Sequence, residues 1–332
     1  MQCRKWTSYS TCMASALAVC VLFSGLALDQ EAVGAKSGQS AITPQDSRQA
    51  SGLKLRVDTT LVLIPVAVTD SLNRFVLGLQ KEDFHLFEDT VEQKVAHFSG
   101  EDVPLSVGLV FDESGSMDYK LRTSQAAVGQ FLKTMNADDE AFLVEFSDNA
   151  KLSVGFTADT GEIQDALKKA KPGGLTAMLD AIHLAVREMK KARNSRKTIV
   201  VISDGGDNNS HYKASEIESL VREADVQIYA MGVFEPTLPF GLRPEEVSGP
   251  RLLSEIATQT GGRAFSATLT SDLPSVAARI AVELRNQYVL GYYPKNQTKD
   301  GKYRHVEVKL AQPRGVSPLK AHWRLGYYAP TQ

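Results

Sequence analysis

The stretch SVGLVFDESGSM, Ser106 to Met117, starts as an apolar run and ends in two acids, two serines and a glycine. Val107 to Phe111 lacks the polar alternation of a half-exposed strand, as expected where helices cover both faces of a sheet. Its polar end then falls at the carboxyl terminus of a buried strand, where open α/β sheets bind their ligands. The surrounding chain repeats the pattern. Ala141–Phe146, Lys151–Val154, Thr198–Ile202, Val226–Met231 and Arg263–Phe265 are further expected strands. Amphipathic stretches at 119–135, 162–170, 177–192, 215–223, 252–260 and 273–286 alternate with them as expected helices. This order predicts a doubly wound, mostly parallel α/β sheet over residues 104–287, with a short antiparallel hairpin where Ala141–Phe146 and Lys151–Val154 lie close together.

Two other polar clusters share the carboxyl side of that sheet. Pro172-Gly-Gly-Leu-Thr-Ala177 opens a helix, and Ser203-Asp-Gly-Gly-Asp-Asn208 closes the strand Thr198–Ile202. With the first cluster they supply Asp112, Ser114, Ser116, Thr176 and Asp204, all oxygen donors. Such a set suits a hard cation, Mg²⁺ before Mn²⁺ or Ca²⁺. Any one cluster alone would read as a helix cap or turn, because Ser, Thr, Asp and Gly are the usual residues at strand-to-helix junctions. Three clusters in this order favour the metal. Asp207, Asn208 and Asp180 read either as supports of the site or as turn and helix-start residues.

Asp112-Glu-Ser-Gly-Ser116, with Thr176 and Asp204 downstream, resembles the metal-ion-dependent adhesion site of von Willebrand factor type A domains, and all five positions match its motif. The resemblance covers about Leu105 to Gln287. The flanks, with Val68-Thr-Asp70, Lys81 to Glu88 and Gly326-Tyr-Tyr328, resemble those of exported bacterial von Willebrand factor A-related proteins. It implies a protein-binding or adhesion module in which the serines and the threonine hold the cation directly, while the aspartates act directly or through water. An Asp or Glu carboxylate of a protein partner would fill the remaining position. The charge logic agrees, since an ion with few direct carboxylate ligands stays attractive to an incoming one.

The flanking segments differ in character. Leu61–Val68, Arg74–Leu77, Phe84–Glu88 and Lys94–Phe98 before the sheet, and Tyr288–Tyr293, His305–Leu310 and Leu319–Tyr328 after it, are short and bounded by turn residues. These predict one all-β sandwich of about seven strands, built from residues 53–103 and 288–332. Leu53–Asp58 is a further candidate, and Pro65 places its strand near an edge or bulge. The segment 234–249 reads as a long loop on the metal face, either one that sets partner choice or an ordinary variable loop.

At 332 residues, 43% hydrophobic and with a formal charge of -2, the chain has an ordinary globular composition that gives no reason to expect nucleic acid or an anionic membrane as its partner. Arg4 and Lys5 precede an apolar run from Met13 to Leu28, the pattern of a secretory signal over residues 1–28. A retained anchor is the other reading, and a faint lipid-attachment pattern ends at Cys20. Residues 29–52 read as a flexible linker. Cys3, Cys12 and Cys20 all lie in the signal, so the mature chain is expected to have no cysteine, no membrane insertion and a secreted, periplasmic or cell-surface location. Catalysis finds little support: Glu113 and His211 are the only nearby candidate bases, and the chain has no His-Glu-x-x-His, phosphate loop or Gly-x-Ser-x-Gly. A structural scaffold of the cell envelope, with a metal that only stiffens it, is the third expectation.

Overall fold

The computed structural model describes residues 61–233, 244–267, 269–311 and 318–331. The expected signal, the linker and the strand Leu53–Asp58 lie outside them. The chain first lays down β1 (Val62–Thr69), β2 (Phe84–Glu88), β3 (Val91–Gln93) and β4 (Val95–Ser99). An alternating α/β portion follows: β5 (Leu105–Asp112), α1 (Leu121–Leu132), β6 (Glu140–Phe146), β7 (Ala150–Thr157), α2 (Thr160–Leu167), α3 (Met178–Glu188), β8 (Arg196–Ser203), α4 (Ala214–Glu223), β9 (Gln227–Val233), α5 (Pro244–Gln259), β10 (Ala264–Ala267) and α6 (Leu273–Arg285). Four strands complete the chain: β11 (Tyr288–Tyr292), β12 (Tyr303–Leu310), β13 (Lys320–Trp323) and β14 (Gly326–Tyr328).

The α/β portion forms a six-stranded sheet in the order β10-β9-β8-β5-β6-β7. Its strands are parallel except β7, which folds back antiparallel on β6. Successive residues of a strand point to opposite faces, and both faces are buried. Val200 and Ile202 pack with α1, α2 and α6, whereas Ile199 and Val201 pack with α3, α4 and α5. That two-sided burial explains the apolar run Val107–Phe111 of β5. Chain order reverses at β5, which lies between β6 and β8. The carboxyl ends of β5 and β8 therefore flank the crevice that such a sheet opens at its switch point.

The terminal strands form two antiparallel sheets, β13-β1-β11-β4 and β14-β12-β2-β3. Ile64, Val66, Leu86, Leu290, Tyr292, Val306 and Val308 share one core, so the sheets pack face to face as a sandwich of eight strands. Three local expectations are corrected. Arg74–Leu77 is not a strand, and only an isolated bridge joins Phe75 to Thr69. The stretch Leu319–Tyr328 is two strands, because the chain leaves one sheet at Trp323 and enters the other at Gly326. Pro65 sits inside an interior strand, yet β13 pairs β1 only from Val66 onward, so that flank of Pro65 carries no ladder.

Of the segment read as a loop, residues 234–243 lie outside the described residues, while 244–249 begins α5. Gly249 of that helix packs against Gly205, which has φ +87°, directly after Asp204. A side chain at either position would meet the other's backbone, so both must be glycine for the helix to come this close.

Candidate metal centre

Asp112 is the last residue of β5 and is fully buried. Its Oδ1 accepts the Ser114 backbone N–H at 2.8 Å, and its Oδ2 accepts the Ser203 hydroxyl at 2.6 Å. The hydroxyls of Ser114 and Ser116 lie 3.1 Å apart on the turn that follows. Burial, and then the charge of Asp204, push the Asp112 carboxyl up to about 7. Asp204 follows the last residue of β8, so the two carboxylates meet at the switch point between adjacent strands.

Thr176 is positioned by the backbone of its neighbours. Its N–H donates to Asn208 Oδ1 at 2.9 Å, and its carbonyl accepts the N–H groups of Asn208 and Asn209. Gly174, with φ +80°, leaves room for Asp148, whose Oδ1 accepts the Leu175 N–H. Cross-loop bonds run from Gly115 N to Gly174 O, Gly173 N to Glu113 O, Glu113 N to Phe146 O and Ala177 N to Ser147 O. Four loops are thus stitched into one rim. Asp207 accepts the first N–H groups of α3, from Met178 and Leu179, and also the Ser210 hydroxyl. It is a helix cap. Asp180 accepts the N–H groups of His211 and Tyr212 and contacts the His211 ring.

The orphaned atom of the site is Asp204 Oδ1, buried and without a hydrogen-bond partner. Its other oxygen, Oδ2, accepts Lys120 Nζ at 3.0 Å, with both side chains less than 10% exposed. A buried carboxylate oxygen with no donor costs free energy unless a cation supplies the contact. Two carboxylates and three hydroxyls on the loops at this end of the sheet are a donor set that suits a hard divalent ion. Among the described residues no three His, Cys, Asp or Glu side chains gather in metal-binding geometry, so a site here depends on its hydroxyls.

Sequence reasoning missed Lys120, Ser203 and Asp148. Lys120 had a signal: it is the N-cap residue of α1, and a cation at a helix amino end opposes the dipole unless an anion stands nearby. Of the candidate bases, Glu113 is raised by burial and by the charge of Glu145, against the backbone N–H of Lys171 and the charge of Lys151, and His211 is bound to Asp180.

Fold and crevice together define a doubly wound α/β domain with an oxygen-donor site at its switch point. The profile of the von Willebrand factor type A domain matches residues 107–206, and the chain contains such a domain. An uncharacterized protein of Borreliella burgdorferi is 25% identical over 194 residues, 53% of this chain and 56% of that protein. An uncharacterized protein of Synechocystis is 29% identical over 125 residues, 35% of this chain and 30% of that protein. The chain thus spans less than two thirds of the length of these relatives. Among solved structures, the von Willebrand domain of the type V pilus tip protein Mfa5 of Porphyromonas gingivalis is similar over 55% of this chain and 95% of that one, at 14% identity and a TM-score of 0.46.

Proposed function

We propose that this protein is an exported, metal-dependent protein-binding module. Asp112, Ser114, Ser116, Thr176 and Asp204 would hold a Mg²⁺ ion, and an Asp or Glu carboxylate of a partner protein would complete its coordination. The observation that carries the reading is the buried, unpartnered Asp204 Oδ1 beside the carboxyl end of β5 at the switch point. Type A domains commonly mediate protein–protein interaction, which supports binding over catalysis, as does the engagement of the His211 ring by Asp180. Export rests on the charged and then apolar sequence of residues 1–28. Among the described residues no helix is long and apolar enough to cross a membrane.

Calorimetric titration of Mg²⁺, Mn²⁺ and Ca²⁺ into the purified mature chain tests the site. Binding to the parent that is lost in both Asp112→Ala and Asp204→Ala is the expected result. Binding that survives either substitution would reject this ligand set. The scaffold reading predicts that a bound ion raises stability while carboxylate-bearing peptides add no binding heat in its presence.

A further inference from the structure

Lys120 is charged, long and almost wholly buried, a combination that needs an anionic partner. Its ammonium reaches 84 residues along the chain to Asp204 Oδ2 at 3.0 Å, and it also lies 5.3 Å from the centroid of the Tyr119 ring. Asp204 is a proposed metal ligand, so the lysine places a positive charge on the carboxylate that a divalent ion would use. Like charges at such spacing repel strongly where water is excluded. Without metal, the buried Asp204 carboxylate is offset by the Lys120 ammonium, a role that a divalent ion would take over.

Building on the proposed metal site, we propose that Lys120 is a built-in competitor of the cation. In the metal-free protein its ammonium occupies Asp204; metal binding must displace it or bear its repulsion. Lys120 therefore sets the affinity of the site, holding it weaker than its five oxygen donors alone would make it. The lysine also keeps the metal-free loop folded, because removing it leaves Asp204 buried with neither oxygen paired.

The test compares the full mature chain with Lys120→Met, which keeps the apolar stem and removes the charge, and with Lys120→Met/Asp204→Asn, which neutralises both partners. Mg²⁺ is titrated by calorimetry, and thermal unfolding is followed in chelator and in Mg²⁺. Lys120→Met is expected to bind Mg²⁺ at least tenfold tighter than the parent, about 1.4 kcal/mol. It should melt lower than the parent in chelator and gain more from Mg²⁺. The double variant should recover the melting temperature in chelator and bind no metal. Amine labelling read by mass spectrometry adds a readout free of binding heat: Lys120 should be protected in chelator and become reactive in saturating Mg²⁺. Metal binding by Lys120→Met but not by the parent would support the proposal in its strongest form.

Equal affinities in parent and Lys120→Met would overturn the role of the lysine while leaving the metal site standing. Silence in the parent, Lys120→Met and a second neutral variant, Lys120→Gln, all folded by circular dichroism, would overturn the metal site and this proposal together.

Discussion

The sandwich and the parallel sheet each bury carboxylates, and they treat them oppositely. In the sandwich, Glu88 is 2% exposed, and its Oε2 accepts the hydroxyls of both Tyr292 and Tyr327 at 2.7 Å. Burial and that partnership raise both phenols well above their ordinary range, so they remain donors at any physiological pH. The network is closed among the protein's own groups. At the switch point of the parallel sheet, Asp112 is held near neutrality and Asp204 keeps an oxygen without a donor. A closed polar network specifies a core, whereas an open one costs stability and persists where something else completes it.

The largest expected effect concerns Asp112. Its folded value lies near 7 against an ordinary 3.8, so the folded protein keeps a proton that the unfolded chain releases in that window. Stability from this group is complete below pH 3.8 and is lost as pH rises through 7, by up to about 4 kcal/mol. Urea unfolding in chelator should therefore show the parent weakening across this range relative to Asp112→Asn, with Mg²⁺ closing the gap. A pH-independent difference would remove the electrostatic contrast between the two regions.

Glu88→Ala comes next. It leaves the buried Tyr292 and the half-buried Tyr327 hydroxyls without their carboxylate acceptor and should cost about 3 kcal/mol in urea unfolding. The loss should be the same with and without Mg²⁺, and Glu88→Gln, which keeps an acceptor, should recover most of it. A Mg²⁺-sensitive loss would mean that the sandwich and the site are not independent.

The smallest stability effect belongs to the rim of the site. Tyr119 is 62% exposed and Leu175 is 45% exposed, on two different loops. Replacing either by Ala should change stability by less than about 0.5 kcal/mol. If the reading of the site is right, the same variants should weaken metal-dependent capture of a carboxylate-bearing partner severalfold, measured by surface binding.

Most of the α/β portion was legible because its signals are strong. The apolar runs of β5 and β8 and the long amphipathic helices α1, α3 and α6 follow from two-sided burial. Four of the five expected site residues lie at or just after the carboxyl ends of β5 and β8 for the same topological reason, and Thr176 lies just before α3. The sandwich was harder to read. Arg74–Leu77 has strand-like residues but pairs with the end of β1 only through the Phe75–Thr69 bridge and its flanking backbone bonds, too briefly to form a strand. The change of sheets at Arg324 and Leu325 carries no turn signal, since it is anchored by distant groups: the Val306 N–H donates to the Leu325 carbonyl and Arg324 pairs with Asp225. Lys120 escaped notice because its partner lies far off in sequence.

The inserted α/β portion joins the sandwich by two connections, one before Leu105 and one after Arg285. Both sit at the end of the sheet opposite the candidate metal centre. There Arg285 pairs with Asp102 in the first connector and with the buried Asp139, while Arg196 reaches the Leu284 carbonyl and Gln287 in the second. A pull on the crevice end of the sheet would thus run along its strands to two adjacent tethers clasped by arginines, which enter the sandwich on the neighbouring strands β4 and β11.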